Sequence, residues 1–166
     1  MTISIPQPLH AGQEMTRLAR FHRDVRWTGT IRAGAVGPGS PAMTATGEGR
    51  HHTIQNGLWI VGEYQQDQYL PDGSFVLRWQ LHWVAGWDPQ AGEYRASVAD
   101  NYGHLELLAG HIEGHLLTFR SIGRPRLRTQ LLWHIVDDET MIWRNEVSVD
   151  GGSFELVERY VCTTIS

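Results

Sequence analysis

Residues 75–88 read FVLRWQLHWVAGWD, and this stretch decides the fold. Phe75, Leu77, Trp79, Leu81, Trp83 and Ala85 share one parity, while Val76, Arg78, Gln80, His82 and Val84 share the other. Two coherent faces on a period of two require an extended strand, because a helix would scatter both sets around its axis. The face that joins Trp79 and Trp83 to Leu77 and Leu81 is expected to point inward. A tryptophan pair at i and i+4 along a strand builds an aromatic wall about 13 Å long, which needs protein core or a bound molecule over it. In the reverse assignment the pocket is polar, and the tryptophans lie on an outer surface that a homodimer would have to cover.

Period two persists on both sides of this stretch. The spacing predicts a first strand in VRWTGTIRA, then strands at 42–54, 58–69, 74–87, 93–101, 104–110, 113–121, 127–136, 140–149 and 153–163. Turn signals separate many of them: PDGS at 71–74, DPQAG at 88–92, NYG at 101–103, VDDE at 136–139 and DGG at 150–152. The loop GAVGPGSPA (34–42) is long enough to cross a barrel mouth. One helix is expected, in HAGQEMTRLARFHRD, with Met15, Leu18, Ala19 and His22 on its stripe and Arg17 and Arg20 outside it. About ten strands at hairpin spacing after one short helix make an all-β antiparallel meander. Closing it into an up-and-down barrel removes the exposed sheet edges. Residues 1–10 are expected as a flexible N-terminus and 11–166 as a single barrel domain.

Composition narrows the function classes. The 166 residues, 41% hydrophobic and 19% charged, suit one globular domain with its own core. A net charge of −4 gives no general basic footprint for nucleic acid. No signal-peptide pattern and no apolar run of membrane-span length is present, so no membrane partner and a cytoplasmic location are expected. All 14 basic residues are arginine, which a GC-rich genome accounts for. The absence of lysine removes Schiff-base chemistry and a phosphate-loop lysine. A lone Cys162, expected as a small buried hydrophobe near a frayed terminus, excludes an internal disulfide and a multi-thiolate metal site. There is no Gly-x-Ser-x-Gly elbow and no glycine-rich strand-to-helix turn for a dinucleotide. No cofactor and no metal is therefore expected.

The segments GWD (86–88), Tyr94, D..G (100–103), G.IEG..L.F (110–119) and VSVDGGSFELVERYV (147–161) resemble the successive hairpins of the domain of unknown function 1579 family. Its members are similar to lipocalin-type (calycin) barrels. The resemblance covers most of the chain from Leu18 onward and implies a fold more than a chemistry. It implies a Gly-x-Trp first strand, where this chain has Val25 before Trp27. It further implies a basic residue from the last strand, here Arg159, capping that tryptophan.

Histidine-rich stretches invite a metal reading. In GHIEGH (110–115), His111, Glu113 and His115 share a parity, but the two glycines point to a hairpin turn with exposed histidines. His51 and His52 face opposite ways if extended. Arg120, Arg124, Arg126 and Arg128 are expected as a solvated strand face. More informative are polar residues in phase with apolar ones, since an unpaired buried carboxylate costs several kcal/mol. Glu63 follows Trp59 and Val61, Asp100 follows Tyr94, Ala96 and Val98, Asn145 follows Trp143, and Glu158 precedes Tyr160.

These residues point to a small-molecule-binding barrel whose pocket is lined by Trp59, Trp79, Trp83, Tyr94, Trp143, Asn145, Glu158 and Tyr160. Its ligand would be apolar and aromatic or polycyclic. The alternative is a cofactor-free isomerase, cyclase or decarboxylase in the same pocket. Asp100 or Glu63 would then act as acid or base, and His82 or Arg144 would stabilise developing charge. A haem-binding barrel of the nitrobindin kind would need His134 facing the cavity.

Overall fold

The computed structural model describes residues 9–124 and 126–165, so the expected flexible N-terminus lies almost wholly outside the described residues. After α1 (Gln13–Ala19) come β1 (Val25–Ile31), β2 (Met43–Ile54), β3 (Trp59–Tyr69), β4 (Phe75–Asp88) and β5 (Glu93–Asp100). β6 (Leu105–Glu113), β7 (Leu116–Ser121), β8 (Leu127–Ile135), β9 (Thr140–Val149) and β10 (Glu155–Thr164) complete the chain. Each strand pairs antiparallel with the next, and β1 closes on β10 from Val25↔Thr164 to Ile31↔Glu158. The result is the closed up-and-down barrel that the alternation predicts. No helix among the described residues is long and apolar enough to cross a membrane.

Aspartates set the hairpins. Asp72, Asp88, Asp100 and Asp137 each open a turn in which Oδ1 accepts backbone N–H groups two to four residues on. Such local bonds offer the backbone a turn in place of a ladder. One boundary differs from expectation. β6 runs through Gly110 to Glu113, and the chain reverses at Gly114, whose φ is 59°. Gly110 serves packing instead: a Cβ there would stand 2.5 Å from the Phe119 ring.

The inward face of β4 is the tryptophan face, with Trp83 and Ala85 buried and Arg78, Gln80 and His82 exposed. One end of the barrel is stoppered by the N-terminal segment, where Met15, Leu18, Phe21 and His22 are buried. The helix stops at Ala19, so Ala19 stays exposed and Phe21, off the expected stripe, is buried instead. Tyr94 donates to the Glu14 carbonyl at 3.0 Å and ties α1 to β5. The other end is the mouth, where the loop after β1 and the β3–β4, β5–β6 and β7–β8 turns gather.

Trp27 is not capped by Arg159, which is exposed on the outer face. Its Nε1 donates to Gln66 Oε1 at 2.8 Å, and Gln66 Nε2 donates to Tyr160 Oη at 3.2 Å. The indole lies across Gly47, where a Cβ would meet it at 2.4 Å. Cys162 is buried as expected, with burial pushing its thiol up to about 12. The C-terminal stretch is not frayed there: β10 pairs through Thr164, and the Ile165 N–H donates to the Asp24 carbonyl.

Candidate ligand-binding site

Side chains from six strands converge between the stopper and the mouth. Trp133 on β8 and Trp143 on β9 are direct cross-strand partners, and their rings stack at 5.9 Å and 8°. Trp83 stands at 62° to Trp133, with ring centroids 5.6 Å apart. Tyr64 lies 6.1 Å from Trp143. These rings and Trp79 bound a cavity of about 230 Å³. Leu81, Val98 and Leu131 add apolar wall, and Thr129 and Asn145 add polar wall. Its mouth side is formed by Asp100, His104, Glu106 and Arg124.

A second space of about 540 Å³ shares Trp79, Asp100 and His104 with the first and lies beneath the loop residues Ala35 and Val36. Gln66, Gln68, Glu158 and the apolar Leu77 and Leu127 also line it. Several polar atoms around the two spaces are buried without a hydrogen-bond partner. They are Trp83 Nε1, Trp143 Nε1, Asn145 Oδ1, Glu106 Oε1 and Gln68 Oε1. Buried polar groups are almost always paired, so these five atoms are open to partners from a bound molecule or from water.

Asp100 is saturated by donors. Its Oδ2 accepts from Trp79 Nε1 at 3.1 Å and from His104 Nδ1 at 2.9 Å, and its Oδ1 accepts the Tyr102 and His104 backbone N–H groups. Burial alone would raise this carboxyl, but the His104 and Trp79 bonds outweigh it and hold the group below its ordinary value. An ionised carboxylate so fully bonded makes a poor base and a good support. It holds the His104 ring in place at the mouth through Nδ1.

Glu158 behaves oppositely. Burial pushes its carboxyl above the ordinary value of 4.5, although hydrogen bonds with Asn145 and Tyr160 favour the ionised form. A folded chain that holds this proton longer than the unfolded chain keeps the contribution in full below 4.5. It loses that contribution as pH rises through the folded value. Glu158→Gln keeps the shape without the buried charge. It should raise the melting temperature at pH 7–8, with the gain fading toward pH 4. A variant no more stable than the parent at pH 8 would contradict a carboxyl that burial raises.

The other sequence-derived candidates separate by strand parity. Trp79, Trp83, Trp143, Asn145 and Asp100 border the inner cavity, and Glu158 borders the outer space. Tyr160 is fully buried and backs Trp143 at 4.8 Å. Tyr94 belongs to the stoppered end, against Trp87 at 5.0 Å. Trp59 is on the outer face, where its ring covers Gly86. Glu63 and His82 are exposed cross-strand neighbours outside the barrel. Arg144 and His134 also face outward, in a surface groove with Arg159. The haem reading therefore loses its ligand: strand alternation puts Trp133 and Ile135 inside and His134 out.

His104, Arg124, Gln66 and Gln68 border the site without having been singled out for it. In the sequence only His104 carries a signal, as the residue that ends the DNYGH turn. Arg120 and Arg128 lie on the outer face as expected, over the Phe154 ring at 5.7 and 5.4 Å. In GHIEGH, His111 and Glu113 are exposed and 3.6 Å apart. No three metal-ligating side chains converge among the described residues.

Comparison with known proteins gives a fold and a family. No curated protein matches the sequence. The chain is similar in structure to the crystal structure of Rv2717c from M. tuberculosis, with a TM-score of 0.62 at 9% identity. The match covers 93% of this chain and 99% of that one. The model of the protein family of unknown function DUF1579 matches residues 13–161. With the ten-strand barrel around them, these residues place the chain in the DUF1579 family.

Proposed function

We propose that the barrel binds a small, largely apolar aromatic molecule in the tryptophan-walled cavity. The observation that carries this reading is a cavity of about 230 Å³ bounded by Trp79, Trp83, Trp133 and Trp143, in residues that also hold unpartnered buried polar atoms. An engineered apolar cavity of about 150 Å³ is enough for benzene, so the inner space suits one ring or a compact bicycle. A larger polycyclic ligand would extend past Trp79 into the outer space. The apolar walls supply affinity and a few polar groups supply orientation, the usual division of labour in ligand pockets.

Titration with single-ring and bicyclic aromatic probes tests this. Tryptophan emission should quench saturably, and Trp79→Ala should abolish the response at probe concentrations that saturate the parent. Hydrogen exchange should slow at residues 34–41, the loop over the mouth, and stay unchanged at 13–23. Protection at the helix alone would place entry at the opposite end. A broad panel that moves neither emission nor melting temperature would count against a ligand site altogether.

A further inference from the structure

We propose that the ligand of this cavity is an organic cation, a single aromatic ring carrying a protonated amine and a ring oxygen; this rests on reading the cavity as a ligand site. Charge is the first ground. The fixed charges of the lining are Asp100 and Glu106 against Arg124 alone. The Arg124 guanidinium is already committed to the Leu105 carbonyl at 2.9 Å. It stands 3.9 Å from Glu106 Oε1, too far for a hydrogen bond, and that oxygen is buried with no partner. Asp100 is ionised and close at hand, as its donors require. The lining thus carries an excess of negative charge and a carboxylate oxygen short of a donor.

The second ground is hydrogen-bonding type. Asn145 Oδ1 is a further acceptor without a donor, and its orientation is set by the amide nitrogen, which donates to Glu158. An ammonium offers three donors and no acceptor, which is what Glu106 and Asn145 lack. The rings are the third ground. Trp133 and Trp143 are parallel and Trp83 stands steeply to them, so indole planes of two orientations border one small space. The faces of such rings are electron-rich and attract a desolvated cation. Trp83 and Trp143 also present indole N–H groups without acceptors. A ring oxygen would serve them. Asn145 is one inward position nearer the mouth than Trp143, so the amine belongs toward the mouth and the ring oxygen deeper.

Three probes that share the phenol ring and differ in the charge and polar group of a two-carbon side chain test the inference: tyramine, 2-(4-hydroxyphenyl)ethanol and 4-hydroxyphenylacetate. In calorimetric titrations at pH 7, tyramine should bind at least tenfold tighter than the alcohol, and the acid weakest of all. In Glu106→Gln, with its fold checked by circular dichroism and melting, the amine-to-alcohol ratio should fall to threefold or less. Equal binding of amine and alcohol, or tightest binding of the acid, overturns the cation while leaving the aromatic pocket standing. A ratio unchanged in Glu106→Gln overturns the part given to that carboxylate. If none of the three binds, the inference and the pocket fall together.

Discussion

Replacing Trp143 with alanine should lower the stability of the barrel by about 3–5 kcal/mol, the range for truncating a buried Trp or Phe. Trp143 is the hub of the interior. Its ring meets Trp27 at 5.5 Å, Trp133 at 5.9 Å, Tyr64 at 6.1 Å and Tyr160 at 4.8 Å. Four rigid aromatic neighbours on closed strands cannot collapse into the gap, so the cavity term adds to the lost transfer term. For a domain whose total stability is roughly 5–15 kcal/mol, the melting transition should fall steeply. The near-ultraviolet dichroism from the stacked Trp133–Trp143 pair should vanish with it. Because the new hole opens toward an existing apolar cavity, indole added to the variant should restore part of the loss. A shift below about 1 kcal/mol would mean that the aromatic cluster is loosely packed and that its cavity is no defined site.

Fold and site were unequally legible, and β3 and β4 show why. On β4 one parity carries Leu77, Trp79, Leu81 and Trp83 and the other carries Arg78, Gln80 and His82, so the sequence favours the inward face that the barrel adopts, although alternation alone leaves the reverse assignment open. On β3 the same logic pointed the wrong way. Trp59 and Val61 share a face with Glu63, but that face is the outside of the barrel. The inward face is Ile60, Tyr64, Gln66 and Gln68, which becomes polar toward the mouth. Glutamine is read as a surface residue unless its partner is known. Here the partner of Gln66 is the Trp27 indole, 39 positions away, and alternation carries no record of such a bond.

Glu158 and Asn145 were found because they sit in phase with large aromatics on strands whose two faces differ clearly. Asp100 is legible for the same reason, but its hydrogen-bond partners are not. Its position in phase with Val98 marks it as inward-facing, but the donors that fix it ionised come from its own turn and from Trp79 on the next strand. Arg124 shows the limit from another side. It lies in a connection between strands, where no periodicity says whether a side chain folds over the mouth or extends into water.

At the stoppered end the largest pH effect is expected. His22 and His51 meet edge to face at 5.4 Å, each with one ring nitrogen that has no partner: His22 Nε2 and His51 Nδ1. His22 also stacks on Trp83 at 5.7 Å, and His51 bonds the Tyr64 hydroxyl at 2.7 Å, so both rings are part of the wall behind the cavity. Burial, reinforced by the neighbouring His51, lowers His22 from 6.5 to about 3. Burial also lowers His51 to about 4, in spite of Asp24, whose carboxylate accepts its backbone N–H, and with a small push from His52. Arg50 engages the other oxygen of Asp24 and takes up part of its charge. The unfolded chain therefore binds protons on both rings below pH 6.5 while the folded chain does not. Their contribution is complete above 6.5 and is lost as pH falls toward 4. With two groups each contributing up to about 1.4 kcal/mol per pH unit, opposed by one such slope from the raised Glu158 carboxyl, a net loss on the order of 1–2 kcal/mol should remain between pH 6.5 and 5, rising to about 3 kcal/mol in Glu158→Gln. Depressed carboxylates such as Asp24 and Asp100 act only nearer their ordinary value of 3.8. The two windows are therefore separable in denaturant melts taken at half-unit pH steps. His22→Leu is the decisive variant, because the Leu18 carbonyl that His22 Nδ1 bonds also accepts the Phe21 N–H. No buried acceptor is orphaned by the change, so stability at pH 7.5 should hold within about 1 kcal/mol. The slope between pH 6.5 and 5 should drop by half or more. If Glu158→Gln, which removes the opposing carboxyl, shows a flat profile across that interval, the two histidines are hydrated or protonated in the folded chain, and the N-terminal segment does not seal that end of the barrel.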